Sequence, residues 1–173
     1  MYIFALFYNI KMNGMFNKLT IKNFKSIVDQ TIELGRVNVF IGANGMGKSN
    51  VLEAIAMIAA NSQNEIDLNK LVQAGVRIAR PDLMRSSFYG KKTTDNIEIC
   101  LSGYGIENSY IIAPKDKGYV MTPWSVDVKS KEINHEISNQ NKFAETLSRF
   151  EIYTPMLDAL RGLSQTSSRY PIG

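Results

Sequence analysis

The amino-acid sequence predicts an α/β fold in which a mixed sheet lies beside an antiparallel β layer. A short apolar run at residues 37–41 leads into a glycine-rich loop, and the loop leads into a helical pattern that begins near Lys48. Farther along, residues 95–123 alternate between apolar and polar side chains in short segments separated by turn residues, which is typical of an antiparallel meander. The 173 residues are 45% apolar and 21% charged, which is the composition of a globular domain.

Residues 1–14 are mostly apolar and end in a break. They are fewer than the roughly 20 residues of a membrane span, and they lack the basic start and cleavage site of a secretory signal. They form either an additional edge strand or an extension ahead of a start at Met15, and the direct run from Met15 into a strand pattern favours the extension. The single cysteine, Cys100, fits a reducing compartment, so we expect a cytoplasmic protein without a membrane partner.

Two strands are predicted before the glycine-rich loop. Residues 19–24 alternate as a strand that ends near Phe24, and a turn at Lys25-Ser26 leads into a second, antiparallel strand that ends near Leu34. The β-branched run at residues 37–41 follows, and its apolar character predicts a strand covered on both faces, as in a parallel sheet.

Helices are predicted at three places. After Lys48, apolar residues recur on one face until a loop cluster near Asn61. A short helix is expected around residues 68–76, with Pro81 interrupting anything longer. Residues 143–150 form the third helix, whereas residues 125–141 are polar and show no assignable pattern.

The segment from Gly42 to Ser49 reads Gly-x-x-x-x-Gly-Lys-Ser, a Walker A phosphate-binding loop. Its glycines let the backbone curl so that N–H groups point inward, and the helix behind it adds the partial positive charge of its N-terminus. Lys48 would place an ammonium at the β- and γ-phosphates, and the Ser49 hydroxyl would bind Mg2+. The strand before the loop and the helix after it are the context that this pattern requires, which indicates a P-loop NTPase lobe for ATP and Mg2+.

The surrounding sequence resembles the start of an ABC-type ATPase head of the RecF, SMC and OLD group of AAA-family ATPases. The resemblance is carried by residues 19–26, where a strand ends in Asn-Phe-Lys-Ser, and by residues 37–55, where the loop reads Gly-x-Asn-Gly-x-Gly-Lys-Ser-Asn. It implies that the turn residues Lys25 and Ser26 approach the nucleotide, although they are equally well explained as ordinary turn residues. The predicted nucleotide-binding residues are Gly42, Asn44, Gly45, Met46, Gly47, Lys48, Ser49 and Asn50.

The resemblance also implies how ATP would be hydrolysed. Two heads, in a homodimer of the full-length form, would enclose two ATP molecules, and an apolar strand ending in Asp-Glu would bind Mg2+ through water and activate the attacking water. No run of four apolar residues in this sequence ends in Asp-Glu. We therefore expect residues 15–173 to be the N-terminal part of an ATPase domain, with hydrolysis completed by a longer chain or a partner.

A second hypothesis is a docking module for DNA, a nuclease or another partner in a repair or phage-defence system, with ATP as a conformational switch. The net charge of +4 permits contact with nucleic acid without arguing for it. A small-molecule kinase is disfavoured because two strands precede the loop strand.

Several other features are better explained as ordinary structure. The Leu-Ser-Gly-Tyr-Gly run that begins at Leu101 resembles an ABC signature, but its setting between strands favours a hairpin turn. Arg77, Arg80 and Arg85 are more simply explained as solvated surface than as nucleic-acid contacts. His135 is the single histidine, which argues against a zinc site or a Ser-His-Asp triad.

Overall fold

A computed structural model of the chain describes residues 3–6, 15–62, 65–66, 68–86, 95–115 and 123–152. The helices and strands of these residues, in chain order, are β1 (Ile3–Leu6), β2 (Phe16–Phe24), β3 (Ile27–Glu33), β4 (Val37–Phe40), α1 (Lys48–Ala59), β5 (Asn61–Ser62), β6 (Glu65–Ile66), α2 (Leu68–Gln73), α3 (Pro81–Met84), β7 (Ile97–Gly103), β8 (Ile106–Pro114), β9 (Trp124–Glu132) and α4 (Gln140–Ser148).

The main sheet has seven strands in the order β3-β2-β7-β8-β9-β6-β5, and each neighbouring pair is antiparallel. The two strands predicted before the loop are confirmed as β2 and β3, with Leu19 opposite Ile32. The first two strands of the predicted meander are confirmed as β7 and β8. The third predicted strand, at residues 119–121, lies outside the described residues.

The turn between β7 and β8 consists of Tyr104 and Gly105, whose φ angles are 54° and 71°. Two consecutive positive φ angles are the requirement of a type I′ hairpin turn. The run that begins at Leu101 is therefore a strand followed by a hairpin, as predicted, and it does not open a helix.

The hydrophobic core lies between the inner face of the main sheet and the helices α1 and α4. Alternate residues of β2 and β7, among them Leu19 and Ile99, are fully buried on this face. Phe16, Tyr104 and Phe143 form an aromatic cluster with edge-to-face contacts, and Phe16 lies 5.0 Å from Phe143 between ring centroids. This cluster connects the start of β2, the β7–β8 hairpin and α4.

The strand before the loop differs from its predicted environment. β4 pairs antiparallel with β1, so residues 3–6 form a strand, which was the less favoured of the two interpretations of that segment. Val37 and Val39 are 59% and 48% exposed, so the prediction that this run is covered on both faces is wrong. Every strand pairing among the described residues is antiparallel, and the parallel neighbour of a mixed sheet is not found there. The α/β class itself is confirmed.

Three elements differ from the sequence pattern for local reasons. Residues 124–132 form β9, although only Trp124 and Val126 are buried along it, which explains why no pattern indicated a strand. Pro81 begins α3, where its missing N–H is not needed, and does not end a helix. The helix α4 starts before residue 143 because Asn139 caps it, with the side-chain oxygen accepting from the Lys142 N–H.

Candidate nucleotide-binding site

The glycine-rich loop joins the end of β4 to the start of α1. Gly45 and Gly47 have φ angles of 85° and 82°, in the left-handed region that glycine enters at little cost. Gly47 is the N-cap of α1 and offers no side-chain cap, and the first turn of the helix contains no acidic residue. The N-terminus of α1 therefore faces the loop with its backbone N–H groups and an uncompensated partial positive charge.

Lys48 folds its side chain back over the loop. Its ammonium donates hydrogen bonds to the carbonyl oxygens of Gly42 at 2.8 Å and Ala43 at 2.7 Å. An ammonium has three N–H donors, so one remains for a ligand. The positive charge of Lys48 is thus held inside the curve of the loop, where the sequence pattern places the phosphates.

A groove of about 780 Å³ adjoins the loop. Its walls are the edge strand β3 on one side and the end of β4 on the other, and Gly47 and Lys48 form its end. The loop residues 42–46 are exposed, and Ser49 and Asn50 on the first turn of α1 are half-buried. Four of the eight predicted nucleotide-binding residues, Gly42, Met46, Gly47 and Lys48, therefore line this groove, and the other four are their neighbours in the loop and the first turn of α1.

Ser26 contacts the helical end of the loop. Its hydroxyl oxygen accepts a hydrogen bond from the Asn50 side-chain nitrogen at 2.7 Å. The same oxygen lies 2.8 Å from the position that a Cβ atom on Gly47 would occupy. Of the two predicted turn residues, Ser26 is thus adjacent to the phosphate loop and lines the groove.

Lys25 is not among the residues that line the groove. Its ammonium donates to the Glu53 carboxylate and, at 2.9 Å, to the Arg77 carbonyl oxygen, and it lies 5.5 Å from the centroid of the Phe24 ring. Burial lowers the pKa of Lys25 below its ordinary value, the hydrogen bond and charge of Glu53 oppose that shift, and the charge of Arg77 adds to it. Lys25 therefore belongs to an internal ion-pair network beside the site.

Glu53 and Arg77 are two residues of this network that the sequence analysis did not assign to the site. Glu53 lies on α1 and is buried, and its Oε1 accepts from the Arg77 Nε at 2.8 Å. Arg77 also reaches the Asn50 side-chain oxygen at 3.4 Å. The signal that could have indicated Glu53 is its position in α1, where a carboxylate stands among apolar residues that continue on both sides.

The described residues contain no group of three or more His, Cys, Asp or Glu side chains that could hold a metal ion. His135 lies at the surface, and its Nδ1 is 2.6 Å from the Glu132 carboxylate. Ser49 remains the predicted Mg2+ ligand. None of the helices in the described part of the chain is both long and apolar enough to span a membrane.

Comparison with known proteins identifies the class. Residues 15–158 match the AAA ATPase domain family, so the chain belongs to that family. It is also similar to the DNA replication and repair protein RecF of Halothermothrix orenii, with 33% identity over 55 residues. That alignment covers 31% of this chain and 15% of the RecF protein. The predicted membership of the AAA-family ATPases is thereby confirmed, and the alignment with RecF supports the predicted group within that family.

Proposed function

We propose that this chain binds ATP together with Mg2+ at the loop from Gly42 to Ser49. The observation that carries the proposal is the position of Lys48, whose ammonium lies within the curve of the loop at the open N-terminus of α1. Membership of the AAA ATPase domain family supports ATP as the nucleotide.

The physical basis is the density of donors around one point. Gly45 and Gly47 are in the left-handed conformation, which lets a loop turn backbone N–H groups toward a bound phosphate, and the α1 N-terminus would add its own unpaired N–H groups. Each hydrogen bond to a charged group contributes roughly 1.5–3 kcal/mol. Several of them together support micromolar affinity, which requires about 8 kcal/mol.

Hydrolysis, in this proposal, needs elements of a longer chain or of a second head. The sequence has no apolar run that ends in Asp-Glu, so the groups that would hold Mg2+ through water and activate the attacking water come from elsewhere. A homodimer of the full-length form would supply a partner surface at the open groove.

The first prediction concerns ATP affinity. Lys48→Ala removes the ammonium from the loop, and we expect ATP binding in the presence of Mg2+ to weaken by at least about tenfold, the loss of one charge-assisted contact. Isothermal titration calorimetry of both proteins with ATP and with GTP measures this and tests the choice of base.

Lys131→Ala is the matched control, because Lys131 is an exposed lysine on β9, and three strands separate β9 from β3 in the main sheet. We expect its ATP affinity to equal that of the wild-type protein. Equal ATP affinities of Lys48→Ala and the wild type would remove the loop as the binding site.

The similarity to a protein of DNA replication and repair supports a second candidate function, in which ATP switches a docking surface for DNA or a nuclease. Phosphate contacts by lysine and arginine make such binding strongly dependent on salt. Binding of a labelled DNA duplex that weakens steeply with added salt, and that changes with ATP, would favour this function. Absence of DNA binding at low salt would exclude it for this chain.

A further inference from the structure

Glu53 is the single carboxylate among the buried residues in the described part of the chain, with a side chain 4% exposed. It lies five positions after Lys48 in α1, about one and a half helical turns from the phosphate loop. Its two oxygens face different cations: Oε2 accepts from Lys25, and Oε1 accepts from Arg77. One carboxylate thus ties α1 to the β2–β3 turn and to the segment after α2.

The ion-pair network has two arms, one through Lys25 and the β2–β3 turn and one through Arg77, and both lead to Asn50 in the first turn of α1. Through the β2–β3 turn, the Ser26 hydroxyl accepts from the Asn50 amide nitrogen at 2.7 Å. Through the other arm, the Arg77 guanidinium donates to the Asn50 amide oxygen at 3.4 Å. Asn50 stands two residues after Lys48, so its position and that of the loop are directly coupled.

The turn that carries the first arm is held in an unfavourable backbone conformation. Lys25 has a φ angle of 49°, which costs a residue with a side chain roughly 1–2 kcal/mol. Such a conformation persists only where the surroundings over-determine it. The surroundings here are the backbone hydrogen bond from the Lys25 N–H to the Met84 carbonyl and the side-chain contacts with Glu53 and Arg77.

The exposure of the two cations that pair with Glu53 predicts how the network responds to substitution. The side chain of Lys25 is only 12% exposed, whereas that of Arg77 is 72% exposed. Removing one partner of a buried ion pair leaves an uncompensated buried charge, whereas removing both partners together is often neutral. The buried pair of Lys25 and Glu53 should therefore tolerate joint neutralisation much better than the loss of either charge.

We propose that Glu53 is a positioning residue of the nucleotide site. By pairing with Lys25 it fixes the β2–β3 turn, which places Ser26 against Gly47 and Asn50 and so sets the shape of the phosphate loop. Lys25 acts through this pair and does not contact the nucleotide. The inference rests on the proposed binding of ATP at the loop.

The experiment is a double-mutant cycle on ATP affinity, measured by calorimetry with Mg2+ at a temperature where circular dichroism shows each protein folded. Glu53→Gln leaves the buried Lys25 ammonium without its carboxylate, and Lys25→Met leaves Glu53 with the exposed Arg77 as its remaining ion-pair partner. We expect each variant to weaken ATP binding by about tenfold. The double variant Lys25→Met/Glu53→Gln removes both charges, and its ATP affinity should return to within about threefold of wild type.

Glu98→Gln and Lys22→Met serve as matched controls. Lys22 on β2 and Glu98 on the neighbouring strand β7 form a half-exposed ion pair. Exposed pairs contribute little, so neither substitution should change the ATP affinity. If Glu53→Gln fails to fold, the comparison of Lys25→Met with the double variant still carries the test, since adding Glu53→Gln must then restore affinity.

Two results would overturn the role of Glu53. Wild-type ATP affinity in folded Glu53→Gln would show that the pair affects stability alone. A double variant as weak as Lys25→Met would show that Lys25 itself contacts the nucleotide. Failure of the proposed function is distinguished by Lys48→Ala: unchanged ATP binding there overturns both proposals, whereas a normal Lys48→Ala defect with unaffected Glu53 variants overturns only this one.

Discussion

Gly45 and Gly47 have nearly the same backbone conformation but different surroundings, and the difference separates two roles of glycine in the loop. A Cβ on Gly45 would meet no heavy atom within 4 Å, whereas a Cβ on Gly47 would lie 2.8 Å from the Ser26 hydroxyl oxygen. Gly45 is thus needed for its φ angle alone. Gly47 is needed for its φ angle and for the close approach of the β2–β3 turn.

We predict that Gly47→Ala impairs ATP binding more than Gly45→Ala does. Both substitutions carry the left-handed strain of roughly 1–2 kcal/mol, but only the alanine at position 47 must also push Ser26 away from the N-terminus of α1. Calorimetric ATP affinities and urea unfolding of the two variants measure the difference. Equal losses of affinity would show that the packing of Ser26 on Gly47 does not shape the loop.

At the scale of the element, α1 is the structure on which the site is built. The helix is buried on most of its circumference, because residues 51–58 are all buried. The sequence pattern indicates a single apolar face. Ala54 and Met57, which are small or flexible, are buried on the other faces of the helix. The phosphate loop is therefore anchored to a helix that the core holds from several sides.

This anchoring predicts a large effect of a cavity in α1. Ile55 is 1% exposed, and Ile55→Ala should lower the free energy of unfolding by about 2–5 kcal/mol, the range for large-to-small core substitutions. Ile133→Ala removes the same atoms from a side chain that is 59% exposed, and it should change the free energy of unfolding by less than about 0.5 kcal/mol. Urea denaturation followed by circular dichroism gives both values, and similar values for the two variants would contradict this account of the core.

The elements that could be predicted from the sequence are those whose own side chains alternate or recur with the period of the element. The strands β2, β7 and β8 and the helix α1 have this property. β9 does not, because most of its side chains face solvent and it is held by its ladder with β8 from Ile106 opposite Glu132 to Pro114 opposite Trp124. Hydrogen bonds between strands leave no trace in the side-chain pattern.

The site shows the same division between local and distant information. The loop could be predicted because its glycines, Lys48 and Ser49 are neighbours in sequence. The pairing of Lys25 with Glu53 joins residues 28 positions apart, and the contact of Lys25 with the Arg77 carbonyl spans 52 positions. No local pattern encodes such contacts, so the ion-pair network became visible only in the folded chain.

At the scale of the whole molecule, the phosphate loop lies beside the open groove between β3 and the end of β4. The main sheet ends at β3, and β4 belongs to a separate two-stranded sheet with β1. Apolar side chains are exposed at Val39 and Ile41, just before the loop, and at Met46 within it. In the proposed function, elements from a longer chain or from a second head would cover this region and supply the missing acidic groups.

The last prediction is that the isolated 173-residue chain binds ATP but hydrolyses it much more slowly than about one molecule per second, the lower end of ordinary enzyme turnover. The physical reason is that Lys48 and the α1 N-terminus would stabilise bound phosphates, whereas no Asp-Glu pair follows an apolar strand in the sequence to activate water. Phosphate release measured at saturating ATP tests this, with Lys48→Ala giving the background of contaminating ATPases. Turnover of several molecules per second by the monomer, lost in Lys48→Ala, would show that the chain carries its own water-activating group, and the hydrolysis would then have to be assigned to carboxylates within this sequence.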